Sequence, residues 1–135
     1  MDKISLIKGL INEEFFDSEL YLRESELFKK KIINGEKISL VFKKFSEDEN
    51  KHILILKKIY NINSNISHRK IISYKRLRNV LRMHLVREKK SIILYKKLMF
   101  LAKDKKEADI IKAIIDSEEN HLLTIKKYLF FIKWV

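Results

Sequence analysis

The sequence has no cysteine, no proline and only two glycines, Gly9 and Gly35, in 135 residues. Without cysteine there are no disulfides, thiolate zinc sites, iron–sulfur clusters or four-cysteine iron sites. That scarcity, with Lys, Ile, Leu and Glu dominating, favours long helices over a sheet. No apolar run approaches the ~20 residues that a membrane span needs. The opening, MDKISLIKGLINEE, reaches acidic residues too early for a signal peptide. The expectation is one domain over residues 1–135, long enough to bury a core, in a soluble cytoplasmic protein.

Acidic residues are outnumbered, and the formal net charge is +12. A basic balance can serve nucleic acid or an anionic membrane surface. Here, however, the cations recur along every segment: Lys29-Lys30-Lys31, Lys43-Lys44, Lys57-Lys58, Lys89-Lys90, Lys96-Lys97 and Lys126-Lys127. Such spacing reads as the wet faces of amphipathic helices and makes no strong case for nucleic acid.

Helical periodicity runs over four segments, about 3–32, 36–60, 73–103 and 106–131. Asn34-Gly35 reads as a helix stop, with Gly at a left-handed position after the last turn. Asp104 followed by Glu107 reads as a capping box opening the fourth helix. The break from Asn61 to about Ile72 is longer than a simple hairpin requires. A dozen extended residues span about 40 Å, which matches the length of a 25-residue helix at about 1.5 Å per residue. The fold expected is therefore an all-α, ferritin-like four-helix bundle with a long crossover between helices two and three.

The second segment places Phe42, Phe45, Glu49, His52, Leu56 and Ile59 on one helical face. The fourth does the same with Ile111, Ile114, Glu118, His121, Ile125 and Tyr128. Each apolar stripe thus carries Glu-x-x-His at its centre, with both side chains on the same side. The first stripe runs Ile7, Leu10, Glu14, Tyr21 and Phe28, and the third Leu81, Glu88, Tyr95, Leu98 and Ala102. Each has a Tyr two turns after its Glu. The chain reads as an internal duplication of residues 1–60 in 73–131: Glu-x6-Tyr, then Glu-x-x-His, twice. Ligands at one level on antiparallel helices put each turn midway between them. Those midpoints fall just before Asn34-Gly35 and beside Asp104.

Four carboxylates in a core are costly unless they are protonated or neutralised. Two divalent cations balance four carboxylates with both imidazoles neutral. Carboxylate and imidazole suit iron or manganese. One Glu from each of two helices, with Glu-x-x-His from each of the other two, is the ligand pattern of di-iron and di-manganese carboxylate bundles. The expected metal ligands are Glu14, Glu49, His52, Glu88, Glu118 and His121.

On Glu14…Tyr21, Glu49-Asn50-Lys51-His52, Glu88…Tyr95 and Glu118-Glu119-Asn120-His121, the sequence resembles the rubrerythrin branch of the ferritin-like superfamily over nearly its whole length. The resemblance implies two iron ions bridged by Glu49 and Glu118. It implies Glu14 and Glu88 as terminal ligands, with one His on each metal. It makes Tyr21 and Tyr95 donors that orient the ligand carboxylates. Two departures stand out. There is no cysteine-rich rubredoxin domain, so electrons come from an external donor such as a rubredoxin-like protein. An additional Glu often found three residues after the third-helix ligand is Ser91 here, and Asp17 holds the equivalent place on the first helix.

The leading expectation is a non-haem di-iron peroxidase or ferroxidase, reducing hydrogen peroxide or dioxygen in oxidative-stress or iron homeostasis. Alternatives are a ferritin-like iron store, a di-manganese catalase, and a basic nucleic-acid-binding bundle with a structural metal site. His84, one turn before Glu88, reads as an extra ligand or a hydrogen-bonded core residue. His68 reads as solvated. Glu13, Glu19, Glu24, Glu26, Glu47, Asp48 and Glu119 read as outward, with Glu24 also placed to line an approach to the site. The aromatic end from Tyr128 to Val135 suits packing at the bundle end or in a homodimer, with membrane-surface contact as the alternative. The crossover is long enough for helix pairs to be exchanged between subunits.

Overall fold

A computed structural model describes residues 2–30, 35–63, 69–70 and 76–132. Four helices account for nearly all of them: α1 (Lys3–Lys29), α2 (Gly35–Tyr60), α3 (Leu77–Phe100) and α4 (Lys105–Ile132). The fold is all-α and of the four-helix-bundle class, with its longest connection between α2 and α3. No strand occurs among the described residues, and no helix is long and apolar enough to cross a membrane. Two compact units make up the chain: Ile7–Ile71, and Met1–Leu6 with Ile72–Val135.

In the first unit α1 and α2 run antiparallel. Glu14 meets His52, Ser18 meets Ser46, and Tyr21 meets Phe42 and Phe45, so one index falls as the other rises. Ile59 at the end of the α2 stripe is only half-buried, but most of the expected apolar stripes are buried: Ile7, Leu10 and Phe28 on α1, and Phe42, Phe45 and Leu56 on α2. Each such side chain stabilises the fold by about 1.5–3 kcal/mol. The Ser18 hydroxyl also lies 3.1 Å from that of Ser46, and the Ser46 hydroxyl donates to the Ser18 carbonyl. These bonds satisfy two small polar groups at the helix contact.

Gly35 departs from its expected role. It opens α2 and does not have a positive φ. Its lack of a side chain serves a close approach instead, because a Cβ there would sit 2.1 Å from the Phe28 carbonyl oxygen. Its neighbour Asn34 lies outside the described residues. Among the described residues the left-handed one is Asn61, at φ 52°, just past α2. Beyond it, the Ile62 N–H donates to the Lys57 carbonyl, closing the helix end as a Schellman motif does.

The connection from 61 to 76 contains one described stretch with side-chain contacts. Arg69 donates to Glu13 at 3.0 Å and places its guanidinium 4.1 Å from the centre of the Phe16 ring. The chain leaves α2 near the start of α1. By residue 69 it has therefore run back along α1 to the level of residues 13–16. His68 lies outside the described residues.

In the second unit α3 and α4 pack as a hairpin across the short turn 101–104. Leu81, Leu98, Ile111, Ile114 and Ile125 are buried as expected, whereas Ala102, beyond the end of α3, and Tyr128 are only half-buried. α3 stops at Phe100, before the expected 103. Its last turn tightens, with the Leu101 and Ala102 N–H groups reaching back three residues. That frees Asp104 to cap α4 by accepting from the Glu107 N–H at 2.8 Å. The return half of the capping box goes to the Lys103 N–H rather than to Asp104. Glu107 also pairs with Lys3 at 2.8 Å. The lysine pairs lie at exposed or half-exposed positions wherever they are described.

Candidate metal centre

Helical spacing positions one triad in each unit. In the first, Glu49 and His52 share a face of α2 one turn apart, and Glu14 faces them from α1. Glu14 and Glu49 are fully buried and His52 nearly so. The His52 Nδ1 lies 2.7 Å from a Glu14 oxygen and 3.7 Å from one of Glu49. Burial pushes the Glu14 carboxyl above its ordinary value, the hydrogen bond from His52 pulls it back, and the charge of Asp17 adds to the rise. Tyr21 is buried two turns after Glu14 and packs its ring against Phe42 and Phe45 at 5.5 and 5.4 Å.

The second triad repeats this design. Glu118 and His121 share a face of α4, Glu88 faces them from α3, and all three are buried. The His121 Nδ1 is 3.5 Å from a Glu88 oxygen. Burial pushes the Glu88 carboxyl up to about 8, and the charge of Glu118 pushes in the same direction. Tyr95 is buried two turns after Glu88.

Within each triad the three ligand atoms all lie within 4.8 Å of one another. Two ligands bonded to one cation at about 2.0–2.2 Å stand at most ~4.4 Å apart. A cation would draw these ligand atoms closer together. Two carboxylates and one imidazole form a hard-to-intermediate donor set suited to divalent first-row metals. A cation would compete with the proton that burial favours on Glu14 and Glu88.

Several neighbours differ from expectation. Glu24 is buried, not outward, because it shares the inward face of α1 with Tyr21 and Phe28. Glu13 is only partly exposed, since Arg69 covers it. Glu19 and Asp48 are half-buried, while Glu26, Glu47 and Glu119 are exposed as expected. Asp17, His84 and Ser91 are buried, but among the described residues neither Asp17 nor His84 joins the sets of ligand atoms close enough to share an ion. The Ser18–Ser46 pair and the Arg69 contact escape sequence reasoning. Serine has no periodic signature, and a lone arginine in a connection gives no hint of its partner.

Comparison with protein-family models and with curated proteins finds no match to this chain. Fold and side chains therefore define a class: an all-α, four-helix protein with buried Glu/His clusters able to hold metal.

Proposed function

We propose that Glu14, Glu49, His52, Glu88, Glu118 and His121 together hold two iron ions, and that the protein is a rubrerythrin-like di-iron oxidoreductase reducing hydrogen peroxide or dioxygen. The observation that carries this reading is the burial of two Glu–Glu–His triads. Burying four carboxylates opposes folding unless they are protonated or neutralised, and two divalent cations neutralise the set. In this reading Glu14, Glu49 and His52 would supply ligands from the first unit, and Glu88, Glu118 and His121 from the second. The bound metals would supply the redox chemistry. The chain's own part is to exclude water with the buried stripes around each triad and to hold the ligands at fixed helical positions. Tyr21 and Tyr95 stand two turns from the terminal ligands and would orient the carboxylates by O–H donation. The doubled hairpin would be an internal duplication, with the protein working as a homodimer and drawing electrons from an external donor.

A second reading has one feature in its favour. The sequence contains no cysteine to return electrons. A di-manganese catalase needs no donor, because one peroxide reduces what another has oxidised, and this donor set accepts manganese as readily as iron.

Elemental analysis of the purified protein beside a Glu49→Ala/His121→Ala variant separates these readings. About two iron ions per chain, lost in the variant, with peroxide consumed only when a reductant is supplied, is the expected result. Manganese, with dioxygen evolved from peroxide alone, would establish the catalase reading. A chain that takes up no metal after anaerobic Fe(II) loading would end both.

A further inference from the structure

The last two turns of α3 present a second feature, independent of the metal reading. A half-open cavity of about 580 Å3 is lined by Leu6, Ile93, Leu94, Phe100 and Leu101, with Lys96 and Lys97 as its polar residues. Leu6 is buried, whereas Ile93 and Leu101 are exposed and Phe100 is 89% exposed. Ile93, Lys97 and Phe100 follow one another at helical steps, so the apolar side chains and the ammonium groups share one strip. From Ile93 to Leu101 the strip is about 12 Å long at ~1.5 Å per residue. Its volume falls within the ~300–1,000 Å3 typical of small-molecule sites, and such sites are mostly apolar with a few fixing polar groups.

We propose that this groove binds a single-chain anionic amphiphile of the fatty-acid class. The alkyl chain lies along Leu6, Ile93, Leu94, Phe100 and Leu101, and the carboxylate meets Lys96 and Lys97. Charge complementarity selects this occupant. The lining holds two cations and no acid, so an anion is favoured and a purely apolar ligand leaves the ammonium groups unused. A second copy of the chain is disfavoured, because a two-fold contact on this strip sets Lys96 and Lys97 against their own counterparts. Lys3, one turn before Leu6, is already paired with Glu107, which leaves the anion to Lys96 and Lys97.

The test is calorimetric titration of the full chain with octanoate and decanoate below their micelle concentrations, beside decanol and acetate. Binding should tighten about twofold to fourfold per added methylene, weaken with decanol, and vanish with acetate. A Lys96→Glu/Lys97→Glu variant should lose roughly tenfold in decanoate affinity, and Phe100→Asp should lose most of the dependence on chain length. Both variants alter exposed side chains, so an unchanged circular dichroism melt confirms that they fold. Equal affinity for decanol and decanoate, or decanoate binding indifferent to both variants, overturns the proposal. So does binding to anionic vesicles without binding to monomeric decanoate, which would mark a membrane-contact face. Self-association through this strip, abolished by Phe100→Asp and unaffected by decanoate, would overturn it in favour of a second copy.

Discussion

The imidazole of His52 and the carboxylate of Glu14 lie 2.7 Å apart, both buried, on helices whose contact places them at one level. In the metal-free chain this bond is the largest influence opposing the burial of Glu14. Glu14→Gln removes a buried acid while keeping its shape. It should leave the metal-free melting temperature unchanged or higher, and it should abolish the stabilisation gained on adding Fe(II). Differential scanning calorimetry with and without metal checks both halves. A metal-dependent gain that survives in the variant would remove Glu14 from the ligand set.

Removing His52 acts in the opposite direction. His52→Ala leaves Glu14 and Glu49 buried without their imidazole, a change of the kind that costs about 3–5 kcal/mol when a buried charged pair is broken. Urea unfolding of the metal-free variant should show a clearly lower midpoint at unchanged slope. A midpoint equal to the parent's would mean that the carboxyls are already neutral without the histidine.

Glu88 sets a pH dependence. Its carboxyl releases its proton near 4.5 in the unfolded chain but only at about 8 in the folded, metal-free one. Between those values the folded state binds more protons, so its stability contribution falls as pH rises through that window and is level above it. Metal-free protein should therefore unfold at lower denaturant concentration at pH 8 than at pH 5, and Glu88→Gln should flatten the trend. Metal affinity should move the other way, rising with pH as the competing proton leaves. Denaturant midpoints across that range, measured with chelator and then with metal, would give two curves of opposite slope.

Gly35→Ala tests the turn between α1 and α2. The added methyl group would meet the Phe28 carbonyl oxygen at 2.1 Å, so the hairpin must open slightly to admit it. A loss of about 1–3 kcal/mol is expected, as for other overpacked sites. At the end of α2 the outcome reverses. Asn61→Gly relieves a positive φ and should be neutral or stabilising. Chemical denaturation of the two variants side by side gives the contrast.

The helices and the triads are legible in the sequence because both obey helical period. Phe42, Phe45, Glu49, His52 and Leu56 form a stripe that only a helix makes continuous, and burial follows that stripe residue by residue. Asp104 is readable as a cap because its signal is local. Gly35 is open to misreading because two different constraints, a left-handed φ and a close backbone approach, both call for glycine, and sequence does not separate them. Glu24 reads as outward only when its charge is weighed above its position, which is one turn from Tyr21 and one from Phe28 on the inward face. The partners of Lys3 and Arg69 depend on contacts distant in sequence, which periodicity does not encode.

Arg69 sets how far the chain can reach between α2 and α3. That connection spans residues 61–76, but the contacts with Glu13 and Phe16 fasten it to α1 near its middle. While that clasp holds, only the seven residues 70–76 are left to reach the start of α3. Fully extended, they span about 25 Å, roughly half the reach of the whole connection. Release of that clasp, a partly exposed ion pair of the kind worth about 0–1 kcal/mol, would roughly double the length of free chain.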